Sequence, residues 1–87
     1  MTLVELFSKD DCHLCEVVKE TLLRVQAQHP FELREVKIHE GDDNYEQFKE
    51  RIPIVYINKG FAFQYRVSEE EFMRKLQSAT SPPSAEE

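Results

Sequence analysis

This chain predicts an α/β domain with the element order β-α-β-α-β-β-α, and three observations carry the prediction. A short, mostly apolar run, Leu3-Val4-Glu5-Leu6-Phe7, gives way within a few polar residues to apolar positions at helical spacing. Ile54-Val55-Tyr56-Ile57 and Phe61-Ala62-Phe63-Gln64-Tyr65 flank the turn residues Asn58-Lys59-Gly60, the pattern of an antiparallel hairpin. Ser68 followed three residues later by Glu71 is a capping box, which opens a last helix. A strand reached through a helix pairs in parallel by a right-handed crossover, so the first half of the sheet is expected to be parallel and the hairpin half antiparallel.

Each element follows from its residues. The first strand is apolar enough to be central. Ser8-Lys9-Asp10-Asp11 is a polar turn, and Asp11 is the expected helix cap because its carboxylate can accept from free N–H groups of the first turn. Leu14, Val18, Leu22 and Val25 then line one helix face, and Pro30 ends that helix within two residues of Gln28. Phe31-Glu32-Leu33-Arg34 and Val36-Lys37-Ile38 alternate in opposite phase, so the second strand is expected to carry a bulge or to start late. Gly41-Asp42-Asp43-Asn44 caps a short helix holding Tyr45 and Phe48. Phe72 and Leu76 mark the buried side of the last helix, and Phe7, Phe31, Phe48, Phe61 and Phe63 complete the expected core. Tyr56 and Tyr65 read as strand residues, either of them able to border a substrate groove. Ser78 to Glu87, rich in Ser, Pro and Glu, is expected to be a disordered tail, leaving residues 1–77 as one folded domain.

Bulk properties exclude several functions. With 87 residues there is room for one core, and a net charge of -6 argues against a nucleic-acid surface, which needs clustered Lys and Arg. No apolar run approaches the ~20 residues of a membrane helix, and Met1-Thr2-Leu3-Val4-Glu5 lacks the basic and long apolar regions of a secretory signal, so none is expected. Two cysteines three apart cannot staple distant parts of a secreted mini-protein. A cytoplasmic location is the expectation, although a processed organellar import segment would leave no trace here.

Those two cysteines, in Cys12-His13-Leu14-Cys15, stand where the polar turn enters the first helix. Residues three apart in a first helical turn share a face, which brings their α-carbons within the roughly 4.4 to 6.8 Å that a disulfide tolerates. Free N–H groups and the positive end of the helix dipole stabilise a thiolate on the first sulfur. Such a pair opens and closes without rebuilding the fold, which points to reversible disulfide chemistry. Lys9 favours that thiolate, whereas Asp10, Asp11 and Glu16 oppose it; His13 either adds charge when protonated or faces solvent. A zinc site fits poorly. Thirteen residues separate Cys15 from His29, but nine separate His29 from His39, where about three to five are expected. One long helix would also hold His29 about 20 Å from the sulfurs. His29 and His39 therefore read as surface histidines, and no metal is expected.

With Ser8-Lys9-Asp10-Asp11-Cys12-His13-Leu14-Cys15 after a strand, and Arg51-Ile52-Pro53-Ile54-Val55-Tyr56-Ile57-Asn58 before a hairpin, the chain resembles the glutaredoxin family within the thioredoxin fold. The resemblance spans about residues 3 to 76. It implies a four-stranded mixed sheet flanked by three helices, and thiol–disulfide oxidoreductase activity. By the same resemblance Cys12 would attack a substrate disulfide and Cys15 would resolve the mixed disulfide. Pro53 matches a proline held cis opposite the dithiol, which would free the backbone of Ile52 to pair with an extended substrate or glutathione. Lys9 matches a position that contacts the glutathione carboxylate, and reads equally as a solvated lysine in a turn. With His13, Leu14 and Arg66 these residues make up the candidate substrate-binding set. A monomer is implied, with no bound cofactor and with electrons from glutathione or a thioredoxin-reductase-type enzyme. Its partner would be a protein disulfide or a glutathione mixed disulfide.

The sequence also departs from that family. Glutaredoxins follow the hairpin with a Gly-Gly and an acidic pair that grip glutathione, but here Gln64-Tyr65-Arg66-Val67-Ser68 has no glycine. The proline and aromatic usual between the cysteines are replaced by His13 and Leu14. Weak or absent glutathione binding is therefore implied, and Arg66, beside a helix start, reads either as a surface arginine or as a residue that receives a carboxylate instead. Two other classes stand beside the enzyme: a thioredoxin-like binding module that leaves its dithiol unused, and a metal or cluster site shared across a dimer.

Overall fold

A computed structural model describes residues 2–43 and 45–80. Strands β1 (Leu3–Ser8), β2 (Glu32–Lys37), β3 (Ile54–Ile57) and β4 (Gly60–Gln64) alternate with helices α1 (His13–Gln28), α2 (Tyr45–Phe48) and α3 (Glu69–Thr80) in the predicted order. They form one sheet in the order β2-β1-β3-β4. β1 runs parallel to β2 and antiparallel to β3, and β3 and β4 form the antiparallel hairpin. The fold class is the α/β arrangement the sequence predicts, with β1 in the middle of the sheet.

Alternate residues of a strand face opposite sides, and each side of this sheet has its own core. Val4 and Leu6 of β1, with Val55, Ile57 and Phe63, pack against Val18, Leu22 and Val25 of α1 and Phe72 and Leu76 of α3. An ion pair from Arg24 to Glu69 at 3.2 Å links the two helices at the surface. On the opposite side Phe7 meets Phe48 of α2 edge-on at 5.4 Å and Tyr56 at 5.5 Å. A second cluster of Cys15, Ile38 and Ile52 packs against Phe7 and Phe48. The dithiol thus rests on a core of its own.

Several local expectations are corrected. β2 keeps an unbroken register with β1, from Leu3 opposite Glu32 to Ser8 opposite Lys37, so it has no bulge. Its phase change has another cause. Leu33 packs on the α1–α3 core, whereas Ile38 joins the cluster on the other side. On this edge strand Leu33 and Val36 are each only half-buried, and the buried Ile38 lies just past its end. The two phases therefore belong to contacts on different sides of the sheet. The irregular pairing lies instead in the hairpin, between Val55 and Tyr56. Phe61 is 53 % exposed on edge strand β4, so it leaves the expected core. Tyr65 lies one residue beyond β4. α3 continues through Thr80, which makes residues 78–80 helical, not tail; residues 81–87 of the expected tail lie outside the described residues.

Hydrogen bonds fix the connections. Asn58 and Lys59 turn the hairpin with φ of 50° and 71°. The Asn58 side chain accepts from the Leu3 N–H at 2.9 Å and its own N–H donates to the Leu3 carbonyl at 2.7 Å, anchoring the turn to β1. Asn tolerates this left-handed conformation better than most residues. Ser68 caps α3 as predicted, its hydroxyl accepting from the Glu71 N–H at 3.4 Å. Among the described residues no helix is long and apolar enough to cross a membrane.

Candidate functional site

β1 ends at Ser8, which is almost fully buried, and the turn that follows delivers the chain to the two cysteines. Cys12 and Cys15 are joined as a disulfide with their α-carbons 5.2 Å apart. Cys12 is half-buried, whereas Cys15 is only 3 % exposed and packs against Ile38 and Ile52. The expected cap, Asp11, instead takes a left-handed φ of 57° in the turn. Cys12 occupies the cap position itself, and its sulfur accepts from the Cys15 N–H at 3.1 Å. A free first-turn amide therefore points at the more accessible sulfur, where it would stabilise negative charge.

Of the charged residues in the turn, Asp10 is the one with ion-pair partners among the described residues. Asp10 accepts from Lys37 at 3.3 Å and lies 3.8 Å from His39. Lys9 is half-buried and has no ion pair or side-chain hydrogen bond among the described residues. Just behind the site, Glu35 of β2 accepts from Lys19 at 2.9 Å and from the Ser8 hydroxyl at 3.0 Å, joining α1, β1 and β2. The Lys19 ammonium, aided by Ser8 and opposed by partial burial, holds the Glu35 carboxyl below its ordinary value of 4.5. A lowered folded value means the carboxylate contributes stability above the unfolded value, and that contribution is lost as pH falls through the folded one. Glu35→Gln should therefore cost up to about 1 kcal/mol at neutral pH and nothing at strongly acidic pH. Urea midpoints of both proteins at the two pH values check this.

The Ile52–Pro53 peptide is cis, and both residues are buried. Ile52 belongs to the cluster that contains Cys15. The Pro53 carbonyl accepts from the Tyr65 N–H at 2.7 Å, which fastens this segment to the end of β4. A groove of about 220 Å³ is walled by Leu14, which lies between the two cysteines in sequence, by Val17 and Val18 of α1, and by Tyr65, Arg66 and Val67 before α3. Leu14, Val17 and Tyr65 expose 42 %, 44 % and 42 % of their surface.

Among the sequence candidates, then, Cys12, Cys15 and Ile52 share one cluster, with cis Pro53 next to Ile52, and Leu14 and Arg66 line the same groove. His13 is exposed at the first position of α1, and Lys9 stands three residues before Cys12. Val17 and Val67 line the groove without having been singled out. Both lie outside any motif, and only the packing of the turn after β4 against α1 brings them together. Tyr56 borders no groove with them; its ring packs on Phe7, with Phe61 at 6.2 Å.

Comparison with known proteins agrees with this architecture. The family described as Glutaredoxin-like domain (DUF836) matches residues 3–77. A structural-genomics target protein from X. campestris superposes with a TM-score of 0.71 at 23 % identity, covering 91 % of this chain and 99 % of that one. A variant thioredoxin from Halobacterium salinarum NRC-1 gives 0.66 at 13 % identity, covering 93 % and 76 %. Thioredoxin f2 from Chlamydomonas reinhardtii gives 0.57 at 17 % identity, covering 93 % and 81 %. At these identities the solved structures establish a shared thioredoxin-like fold.

Proposed function

The chain belongs to the glutaredoxin-like domain family, and on that premise we propose that it is a thiol–disulfide oxidoreductase that reduces protein or glutathione mixed disulfides through Cys12 and Cys15. The Cys12 thiolate attacks one sulfur of the substrate disulfide. A new S–S bond forms to Cys12, the old one breaks, and the departing thiolate takes a proton. The Cys15 thiol then loses its proton and attacks the Cys12 sulfur, expelling the second substrate thiolate. The substrate gains two electrons and two protons, and the protein is left as the Cys12–Cys15 disulfide.

The observation that carries this reading is the asymmetry of the pair. Cys12 is accessible and receives a helix-end N–H at 3.1 Å, whereas Cys15 is sealed behind it. An accessible, polarised sulfur suits attack, and a buried neighbour suits intramolecular resolution. Two electrons from a cellular reductant return the pair to its dithiol form. Insulin reduction, with either glutathione or a flavoprotein thioredoxin reductase supplying electrons, tests the reading and identifies the donor. Turnover with one donor supports an oxidoreductase and assigns its class. Absence of turnover with both, together with no stoichiometric reduction of insulin by the pre-reduced protein, would reject it.

A further inference from the structure

Tyr65 has a φ of 70°, a conformation that a bulky side chain adopts only where its surroundings impose it. Two hydrogen bonds impose it here. Its N–H donates to the Pro53 carbonyl at 2.7 Å, and its hydroxyl donates to the Glu50 carbonyl at 2.6 Å. These bonds hold both ends of the 50–53 segment, which includes Ile52 beside Cys15. Burial does not explain the arrangement, because Tyr65 remains 42 % exposed. Its free surface faces the groove that also contains Leu14, the residue directly before Cys15.

Arg66 lines the same groove and makes no ion pair or side-chain hydrogen bond among the described residues. Each of the other arginines has such a partner: Arg24 with Glu69, Arg34 with Glu32, Arg51 with Gln64 and Arg74 with Glu70. A chain of net charge -6 repels carboxylates in general, so an unpaired guanidinium lining this groove favours a local acidic group. The groove's volume of about 220 Å³ falls short of the roughly 300 Å³ at which sites begin to enclose a whole small ligand. It suits one apolar side chain.

We propose that Tyr65 is a specificity-determining residue: strapped to the carbonyls of Glu50 and Pro53, its ring walls a groove that takes one apolar side chain adjoining the reactive cysteine of a polypeptide disulfide, while Arg66 receives a carboxylate of that same polypeptide. The inference rests on the oxidoreductase reading and names its substrate class. Electrons come from the Cys12–Cys15 dithiol as written above, so no further reactant enters.

Single-turnover stopped-flow measurements with pre-reduced protein test it, because they need no external donor. The probes are mixed disulfides of one reporter thiol with Cys-Leu-Glu, Cys-Gly-Glu and Cys-Leu-Gln peptides, and glutathione disulfide. The half-saturating concentration should be about tenfold lower for Cys-Leu-Glu than for Cys-Gly-Glu. Tyr65→Gly suits the left-handed backbone and so preserves the fold; it should erase that preference by raising the Cys-Leu-Glu value about tenfold, with the maximal rate within about twofold. Tyr65→Phe, which keeps the wall, should retain the preference. Arg66→Gln should reduce discrimination between Cys-Leu-Glu and Cys-Leu-Gln by about threefold. Equal half-saturation of the wild-type protein by the Leu and Gly peptides would overturn the proposal. So would an equal loss on both peptides in Tyr65→Gly, or tighter binding of glutathione disulfide than of Cys-Leu-Glu. Failure to reduce any of the four disulfides would instead reject the oxidoreductase reading itself.

Discussion

Cys12→Ser should lower disulfide reduction by at least about a thousandfold, since the nucleophile is removed and nothing replaces it. The structure makes this a clean substitution. Cys12 caps α1, its sulfur accepting from the Cys15 N–H at 3.1 Å, and serine is among the best residues at that position. The helix start should therefore survive, and a thermal melt close to that of the wild-type protein would separate lost chemistry from lost structure. Cys15→Ser should behave differently. The first attack still occurs, but resolution does not, so a substrate thiol should remain attached to Cys12 and appear in the protein's mass. Full turnover by Cys12→Ser, or an adduct on Cys15 in the wild-type protein, would reverse the assignment of roles.

The largest effect on stability is expected at Phe72. It is fully buried between helix and sheet, with the rings of Phe31 and Phe63 centred 5.7 Å and 6.3 Å away. Phe72→Ala removes the ring and leaves a cavity that the surrounding side chains fill only in part, costing about 3–5 kcal/mol. Small domains have about 5–15 kcal/mol in total. The melting temperature should accordingly fall by roughly 15–30 °C. Phe61→Ala is the matched control. That ring is half exposed on the edge strand, and its loss should cost less than about 1 kcal/mol. Circular dichroism melts of the two variants decide the matter, and similar small shifts for both would mean that α3 is held by something other than Phe72.

Why the element order was legible is clear from the residues that set it. Val18, Leu22 and Val25 could form a buried stripe only on a helix, although Leu14, expected to join them, is exposed and lines the groove instead. The run Ile54–Ile57 with its turn could pair only as a hairpin. The dithiol was legible because its spacing falls at a helix start, where residues three apart share a face. Features set by tertiary contacts were not. Leu33 and Ile38 looked out of phase until the sheet was seen to be covered on both faces. Asp11 had the better side chain for a cap, yet the turn places Cys12 there. Tyr65 read as the end of a strand; its left-handed backbone depends on the carbonyls of Glu50 and Pro53, which lie 15 and 12 residues earlier in the chain.

The amide of Cys15 points at the Cys12 sulfur, so the reactive atom also terminates the first helix. An anionic sulfur accepts such a bond more strongly than a neutral one. Gaining electrons and tightening that end of the molecule are consequently a single thermodynamic event, and the coupling is reciprocal. Reduction should slow hydrogen exchange at the Cys15 amide, and alkylation of Cys12 should hasten it. Redox poise in this protein is in part a property of secondary structure.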